Sequence, residues 1–216
     1  MNTASYHRWD FHTSAADHAV IYPDGCRDLL IMTDPNGRQA LQLTDWDLRP
    51  RQTLLAAGTS ITGYRLRPGT TIRPETMQEC IASGGRLEDL WPETTSDFGD
   101  LVSALAAPDG TVASVARSAG VTPRSLQRWF RAYDYPPPLF WQLLGRARRA
   151  ALALHNGDTL AGIASDAGYS DQPHMTRAFR YWFGLTPARI ARDPALMAEF
   201  RQPALGIWTG EQISIR

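Results

Sequence analysis

Residues 111–131 read TVASVARSAGVTPRSLQRWFR, and residues 159–180 read TLAGIASDAGYSDQPHMTRAFR, so one pattern occurs twice in the chain. Each copy begins with a threonine, continues through spaced alanines to Ala-Gly, and ends with an arginine followed by Phe-Arg. This spacing predicts a short helix, a tight turn at the glycine and a second helix. Such a unit is a helix-turn-helix, whose second helix, the recognition helix, lies in the major groove of DNA. Two units in one chain make DNA binding the leading hypothesis.

Helix starts are well marked in both copies. We expect each helix to follow a side chain whose oxygen accepts a hydrogen bond from an otherwise unpaired backbone amide. A proline directly after that residue strengthens the prediction, because its ring suits the first helical position. The N-caps predicted in this way are Thr111, Thr122, Thr159, Ser170 and Thr186, of which Thr122 and Thr186 precede a proline.

An amphipathic stretch at residues 138–155 joins the two copies and predicts a helix ~27 Å long. Its apolar face consists of Phe140, Leu143, Leu144, Ala147, Ala151 and Leu154. Recognition helices that read consecutive major-groove segments on one face of DNA lie ~34 Å apart. The connecting helix is close to this length, so one chain could read two successive grooves without dimerising.

The two recognition helices should end differently. Gly184 follows the second helix at a position that favours a left-handed backbone, whereas the first copy has Tyr135 at the corresponding place. A bulky residue in that conformation costs ~1–2 kcal/mol. We therefore expect the first helix to end at Asp134, before the prolines at 136–138 that prevent its continuation.

Residues 1–73 predict β-strands. Short apolar or alternating runs are separated by turn signals at a spacing of about ten residues, which favours a small barrel or sandwich. The runs are AVIYP (19–23), DLLIM (28–32), ALQL (40–43), TLLAA (53–57) and TGYRLR (62–67). Residues 75–107 then change to helical spacing, with apolar residues at Met77, Cys80, Ile81, Leu87, Leu90, Trp91, Phe98, Leu101, Val102 and Leu105.

Charge is divided unevenly along the 216 residues, although the net charge is zero. Residues 1–100 contain 9 arginines against 14 acidic residues, and residues 101–216 contain 13 arginines against 8. The two halves should attract each other, and the acidic half could lie against the DNA-binding face. No secretory signal pattern or stretch of 18 apolar residues occurs, so we expect a cytoplasmic protein with no membrane partner.

Residues 97–193 resemble the DNA-binding region of AraC/XylS-type bacterial transcription regulators. The resemblance is carried by IASDAGYSDQPHMTRAFRYWFGLTPARI at residues 163–190, with its Ile-Ala, Gly-aromatic-Ser-Asp, Phe and Gly-x-Thr-Pro elements. It implies two helix-turn-helix units, joined by a long helix, that dock into adjacent major-groove segments. The acidic half resembles the short β-barrel sensor domains of this family through PDGCRDLLI (23–31) and GYRLRPG (63–69).

These observations predict an α+β protein with three parts. A small β-barrel or cupin-like sensor and dimerisation domain occupies residues 1–95, an all-α DNA-binding domain with two helix-turn-helix units joined by a long helix occupies 97–195, and a tail occupies 196–216. In the tail, a strand could dock on the sensor or on a second subunit through Ile207, Trp208, Ile213 and Ile215. We expect sequence-specific regulation of transcription, modulated by a small-molecule effector or by a partner such as a second copy of the chain.

The candidate contacts with double-stranded DNA lie on the outer faces of the recognition helices. The apolar residues that should instead face the core are Leu126, Trp129, Phe130, Met175 and Phe179. The residues predicted to bind DNA are Arg124, Ser125, Gln127, Arg128, Arg131, Gln172, His174, Thr176, Arg177 and Arg180. Arg128 and Arg177 occupy the same place in the repeat, which the resemblance associates with base contact, and arginine can bind guanine through two hydrogen bonds. Arg131 and Arg180 are expected to contact phosphate.

Three arginines of the connecting stretch, Arg146, Arg148 and Arg149, allow three interpretations. They could bind the DNA backbone, form a solvated face, or pair with the acidic half. The sequence leaves these alternatives open.

The alternative to a regulator is a metal-dependent β-barrel enzyme with an accessory helical domain. His7, His12 and His18 would be its candidate ligands, but their spacing contains no tight pair and defines no carboxylate partners. We therefore expect no metal, no cofactor and no catalytic residues. Cys26, beside Arg27, could sense oxidants or alkylating agents through a lowered thiol pKa, although a small buried strand residue is the simpler interpretation.

Overall fold

The computed structural model describes residues 6–72 and 96–208, together with Glu75, Met77 and Glu79. Within these residues, the first part of the chain forms six strands in two antiparallel sheets. The strands are β1 (Tyr6–His12), β2 (Asp17–Ile21), β3 (Asp28–Thr33), β4 (Gln39–Leu43), β5 (Arg51–Leu55) and β6 (Ser60–Leu66). The larger sheet has the order β1-β6-β3-β4, and β2 pairs with β5 in the smaller one.

Strands occur at all five predicted runs, and β1 is an additional strand. Its side chains alternate between a more buried set, His7, Trp9 and Phe11, and an exposed set, Arg8, Asp10 and His12. Such alternation is a strand signal in its own right. Strand β1 is therefore consistent with the two-residue periodicity of its own sequence.

Gly63 in β6 allows Trp9 of β1 to lie across the larger sheet. A Cβ atom at Gly63 would lie only 2.1 Å from Cε2 of Trp9. The Trp9 indole nitrogen donates a hydrogen bond to Oδ1 of Asp28 at 3.1 Å, and Arg65 forms ion pairs with Asp28 at 3.3 Å and Asp24 at 3.2 Å. Burial by itself lowers the pKa of Arg65, but the two carboxylates outweigh burial and raise that pKa above its ordinary value.

The second part of the structure is helical. Its helices are α1 (Ser96–Ala106), α2 (Val112–Ser118), α3 (Pro123–Ala132), α4 (Pro138–Ala153), α5 (Leu160–Asp166), α6 (Gln172–Phe183), α7 (Pro187–Arg192) and α8 (Pro194–Phe200), with a 3₁₀ turn at Leu154–Asn156. The predicted α+β class, with a sheet region before a helical region, is confirmed. The helical spacing predicted at residues 98–105 lies in α1, and that at residues 80–91 falls outside the described residues.

Four of the five predicted N-caps are confirmed. The side-chain oxygens of Thr111, Thr122, Thr159 and Thr186 each accept a hydrogen bond from the backbone amide three residues later. The prediction for Ser170 is wrong, because Asp171 caps α6 and its carboxylate accepts a hydrogen bond from the His174 amide at 2.6 Å. The Ser170 hydroxyl instead contacts Nδ1 of the His174 ring at 3.0 Å.

Helix α3 ends at Ala132, two residues before the predicted Asp134, and Asp134 is the residue that turns the chain away. Asp134 has a left-handed backbone with φ of 57°, and Gly184, directly after α6, has φ of 67°. The amide of Tyr135 then donates to the carbonyl oxygen of Phe130 at 2.8 Å, which closes the last turn. The Tyr135 side chain is thereby returned to the protein interior, where it is 8% exposed.

Two loop residues of the β-rich part pack against the apolar core of the helices, whereas the larger sheet has a separate apolar cluster at Leu29, Tyr64, Leu66 and Ile72. Trp46, between β4 and β5, packs against Tyr135 and Trp141, with ring centroids 5.5 Å and 5.1 Å away. Tyr22, after β2, packs against Phe200 of α8 at 5.2 Å. The β-rich and helical parts therefore meet through packed aromatic side chains.

The chain after α8 docks on the β-rich part through turns, not through the predicted strand, over the described residues 201–208. The Leu205 amide donates to the carbonyl oxygen of Asp24 at 2.8 Å. The Trp208 ring lies 4.5 Å from the ring of His7. The predicted docking on the β-rich part is therefore found, and the rest of the predicted strand lies outside the described residues.

Candidate DNA-recognition surface

Helices α2 and α3 form the first helix-turn-helix unit. Thr111 and Ser114 exchange hydrogen bonds in a capping box at the start of α2. In the turn, Gly120 has φ of 68°, a conformation that a side chain disfavours, and the Val121 amide donates to the Ala116 carbonyl at 2.9 Å. These contacts fix the angle at which α3 leaves the turn.

Helices α5 and α6 repeat this geometry. Gly168 has φ of 74°, and the Tyr169 amide donates to the Ala164 carbonyl at 2.9 Å, as in the first unit. The amides of Gly120 and Gly168 each donate to the carbonyl three residues earlier at 3.0 Å. The repeat in the sequence is therefore a repeat of backbone structure.

The recognition helices bury the predicted apolar residues with one exception. Leu126, Phe130, Met175 and Phe179 are each 0% exposed. Trp129 is 41% exposed, so the prediction that it faces the core is wrong. The Trp129 side chain instead lines a surface groove together with Leu101 and Ala104 of α1 and Val115 of α2.

The predicted DNA-binding residues face outward to different degrees. The exposed ones are Arg124, Gln127, Arg128, Arg131, Gln172, Arg177 and Arg180, and the partly buried ones are Ser125, His174 and Thr176. Among the residues that the structure describes, none of the five arginines forms an ion pair with the protein. Their guanidinium groups are therefore accessible to an anionic partner. That each of these residues contacts DNA stays a prediction.

Ser125 and His174 occupy the same position, the third residue of each recognition helix. The Ser125 amide donates to Oγ1 of Thr122 at 3.1 Å, and the His174 amide donates to Asp171 at 2.6 Å. The His174 ring also packs edge-on against Tyr169 at 5.2 Å. Both residues thus belong to the N-terminal caps that orient the helix starts.

Arg148 of the connecting helix α4 pairs with the β-rich part, which decides among the three open interpretations. It is 3% exposed and donates to the carbonyl oxygens of Pro23 at 3.3 Å and Phe200 at 3.4 Å. Burial lowers the pKa of Arg148, and the nearby carboxylate of Asp24 opposes that effect. This arginine cannot reach DNA without unfolding the interface.

The other two arginines of α4 also bind protein groups. Arg146 lies 4.5 Å from the ring centroid of Tyr169 and donates to the carbonyl oxygen of Gly168 at 3.2 Å. Arg146 therefore stabilises the turn of the second helix-turn-helix unit. Arg149 donates to the carbonyl oxygen of Ala106 at the end of α1. None of the three arginines has the role of a free phosphate contact in this structure.

The β-rich part touches the recognition region at the far end of α6. Arg49 donates to the carbonyl oxygen of Tyr181 at 3.1 Å, and its guanidinium lies 3.2 Å from the centroid of the Tyr181 ring. Arg128 and Arg177 remain exposed with the β-rich part in place. The expected covering of the DNA-binding face by the acidic half is therefore not found.

The groups considered for metal or redox chemistry are dispersed. His7 is buried against Trp208, His12 contacts the Ser60 hydroxyl through Nδ1 at 2.9 Å, and His18 is exposed. The described residues contain no cluster of three or more histidine, cysteine or acidic side chains suited to a metal ion. Burial, and then Asp24, raises the pKa of the Cys26 thiol well above its ordinary value, so the hypothesis of a lowered pKa is wrong.

Residues 115–193 match a protein family described as "Helix-turn-helix domain". The chain is similar to the C-terminal domain of AraT, a response regulator from Geobacillus stearothermophilus, with 24% identity over 43% of this chain and 78% of that one and a TM-score of 0.38. An AraC-type regulator from Chromobacterium violaceum is 22% identical over 51% and 100% of the two chains, with a TM-score of 0.39. ToxT from Vibrio cholerae is 10% identical over 87% and 97%, with a TM-score of 0.46. No curated protein sequence matches the chain significantly.

Across the described residues, every helix is too short or too polar to cross a membrane.

Proposed function

We propose that residues 115–193, which match a helix-turn-helix domain family, form a DNA-binding domain of the AraC type, and that the chain regulates transcription by reading two adjacent major-groove segments. The observation that supports this most directly is the repetition of the site. Arg128 and Arg177 lie at equivalent, exposed positions on the two recognition helices. The turns before these helices have the same pattern of backbone hydrogen bonds. Duplicated geometry of this kind suits a ligand that is itself periodic, as double-stranded DNA is.

The helix that joins the units supports a two-groove arrangement. The 16 residues of α4 span ~24 Å, and the units add their own width at either end. Consecutive major-groove segments on one face of DNA are ~34 Å apart. Because α4 is packed against α1, α6 and α8 through buried side chains, the spacing between the units is held rather than variable.

The proposed roles of the recognition residues differ along the helices. Arg128 and Arg177 would bind base edges, where the planar guanidinium can donate two hydrogen bonds to guanine. Arg131 and Arg180, one turn later, would bind phosphate. The remaining residues of the proposed surface, which would contribute base or backbone contacts around them, are Arg124, Ser125, Gln127, Gln172, His174 and Thr176.

Selection of bound sequences from a random double-stranded library by the full chain tests this proposal. We expect one site with two halves centred ~10 bp apart. Arg128→Ala should relax base preference in one half and Arg177→Ala in the other, each with a loss of ~1–3 kcal/mol. Arg131→Ala should weaken binding to all DNA sequences equally.

Arg38→Ala, at an exposed arginine of the β3–β4 turn, is the matched control and should change neither the affinity for DNA nor the base preference. If Arg128→Ala and Arg177→Ala relaxed the base preference at the same base pairs, the two-groove proposal would be wrong.

Salt dependence provides a second, sequence-independent test. About six phosphate contacts would give a slope near −5 in a plot of log affinity against log salt. Each phosphate-binding arginine that is replaced should reduce the slope by about one. A flat slope would contradict binding through the arginine-rich surface.

The proposal includes modulation of DNA binding by a small molecule or by a second copy of the chain. The β-rich part contacts the helical part close to both units, through Trp46 beside Tyr135 and through Arg49 beside Tyr181. A change in the β-rich part is thus positioned to affect how the units are held. A regulator of transcription acts where the chromosome is, which in a bacterium is the cytoplasm.

A further inference from the structure

A cavity of about 300 Å³ lies where the β-rich part, α1, α4 and the segment after α8 meet. Arg67, at the end of β6, contributes to it from the β-rich part, and Arg149 contributes from α4. Leu205 and Trp208 form an apolar side, and Ser103 of α1 stands at the rim. A cavity of this size is at the small end of the range for small-molecule sites.

Two arginines line the cavity, and no carboxylate of the described residues forms an ion pair with either of them. Arg67 is partly buried and forms no ion pair within the described part of the chain. Arg149 donates to the Ala106 carbonyl, and within the residues that the structure describes it has no carboxylate at ion-pair distance. Burial lowers the pKa of Arg149 and the charge of Arg146 acts in the same direction, whereas Tyr169 and Asp109 oppose this effect without cancelling it. An anion bound between the two guanidinium groups would relieve this cost.

The apolar side of the cavity is held in place before any ligand arrives. The Leu205 amide donates to the carbonyl oxygen of Asp24 at 2.8 Å. Gly25 permits this close approach, since a Cβ atom there would lie 2.8 Å from Cβ of Leu205. Pre-organised walls reduce the entropy that a ligand must lose on binding.

We propose that this cavity binds a small organic carboxylate, whose charged group lies between Arg67 and Arg149 and whose flat apolar body lies against Leu205 and Trp208. Two guanidinium groups supply charge-assisted donors for the carboxylate oxygens. The walls come from both the β-rich and the helical part, so occupation changes how these parts are held together.

The path from the cavity to the first recognition helix is short. The carbonyl oxygen of Gly69, two residues after Arg67, accepts a hydrogen bond from the Tyr135 hydroxyl at 2.8 Å. Tyr135 follows the left-handed Asp134, which lies just beyond the C-cap of α3. A carboxylate at Arg67 therefore acts on the position of α3, and this regulatory consequence rests on the proposed function, whereas binding itself does not.

Equilibrium dialysis of the full chain against 2-naphthoate tests the binding site without DNA. The free probe is measured by its own fluorescence in the protein-free chamber. We expect saturable binding of one probe per chain with a Kd below about 1 mM, and at least tenfold weaker binding of the uncharged 2-naphthamide. Arg67→Gln and Arg149→Gln should each weaken 2-naphthoate binding at least tenfold.

Two further variants distinguish binding in this cavity from nonspecific attraction of 2-naphthoate to positive charge. Ser103→Phe, an exposed rim residue, should fill the cavity and abolish saturable binding while leaving the unfolding midpoint close to that of the wild type. Arg38→Gln removes one exposed arginine of the β3–β4 turn and should leave binding unchanged. Absence of saturable 2-naphthoate binding, or equal binding by wild type and Arg67→Gln, would overturn the proposal.

The regulatory consequence is tested by DNA affinity at saturating and zero 2-naphthoate. We expect at least a threefold change for the wild type and none for Arg67→Gln. A chain that reads two half-sites but binds no 2-naphthoate would refute the cavity proposal and leave the proposed function intact. A chain that binds 2-naphthoate through Arg67 but no DNA would refute the proposed function and support the cavity.

Discussion

Replacing Tyr135 by phenylalanine should destabilise the protein by removing a single buried hydroxyl. That hydroxyl donates to the carbonyl oxygen of Gly69 at 2.8 Å, and both residues are buried. After the substitution the carbonyl has lost this donor and no water can easily replace it. A buried polar group left without its partner costs about 1–3 kcal/mol.

The aromatic ring itself should stay in place. It is stacked on Phe98, with ring centroids 4.6 Å apart and an angle of 18° between the planes, and it lies edge-on to Phe130 at 6.0 Å. Phenylalanine keeps these contacts, so no cavity of methyl size is created. We therefore expect a loss of about 1.5 kcal/mol, toward the lower part of that range.

Tyr133→Phe is the matched control, because it removes the same hydroxyl group two residues earlier on the same segment. Tyr133 is 62% exposed, and its loss should change the free energy of unfolding by less than about 0.5 kcal/mol. Urea unfolding of both full-length variants gives the comparison. In thermal unfolding, about 1.5 kcal/mol corresponds to a decrease in Tm of about 3–6 °C. Equal stability of the two variants would refute the assigned role of Tyr135 in joining α3 to the β-rich part.

Asp171→Ala should lower the free energy of unfolding by about 1 kcal/mol because it removes the N-cap of α6, whereas Ser170→Ala should lower it much less. Urea unfolding of the two variants distinguishes the observed cap from the predicted one. Gly63→Ala should destabilise by about 3 kcal/mol because the added methyl group meets the Trp9 ring, and an unfolding midpoint equal to that of the wild type would contradict this packing. Cys26 should resist iodoacetamide at pH 8, since its raised pKa keeps the thiol protonated and burial excludes the reagent, and should react once urea unfolds the chain. Peptide mapping measures that reaction, and rapid alkylation in the native protein would count against a buried thiol.

Several features of the recognition surface followed from short stretches of sequence. The turn glycines, the threonine caps and the inward set of Leu126 and Phe130 all depend on residues within about one or two helical turns of one another. The left-handed Asp134 was also predictable, because the comparison of two copies exposed the missing glycine. The misplacement of the α6 cap from Asp171 to Ser170 is an error of one residue, since both side chains can cap a helix and only the backbone geometry chooses between them.

Other features could not be obtained in this way. Trp129 has the same helical spacing as its buried neighbours, yet it is exposed because the elements that pack under α3 leave it at the edge. The arginines of α4 are alike in sequence, but one is 3% exposed and inside the interface. Burial of this kind is decided by which distant segment lies opposite, and a local pattern contains no such information.

By itself, the sequence determined that this protein contains two helix-turn-helix units with arginines on their recognition helices, because period, capping and turn chemistry act between near neighbours along the chain. Only the tertiary structure decided how the β-rich part is joined to them. The contact of Arg148 with Pro23 spans 125 residues and that of Tyr135 with Gly69 spans 66. Such pairs form when the whole core assembles, since apolar burial is non-directional and the position of each polar group is fixed by the packing around it.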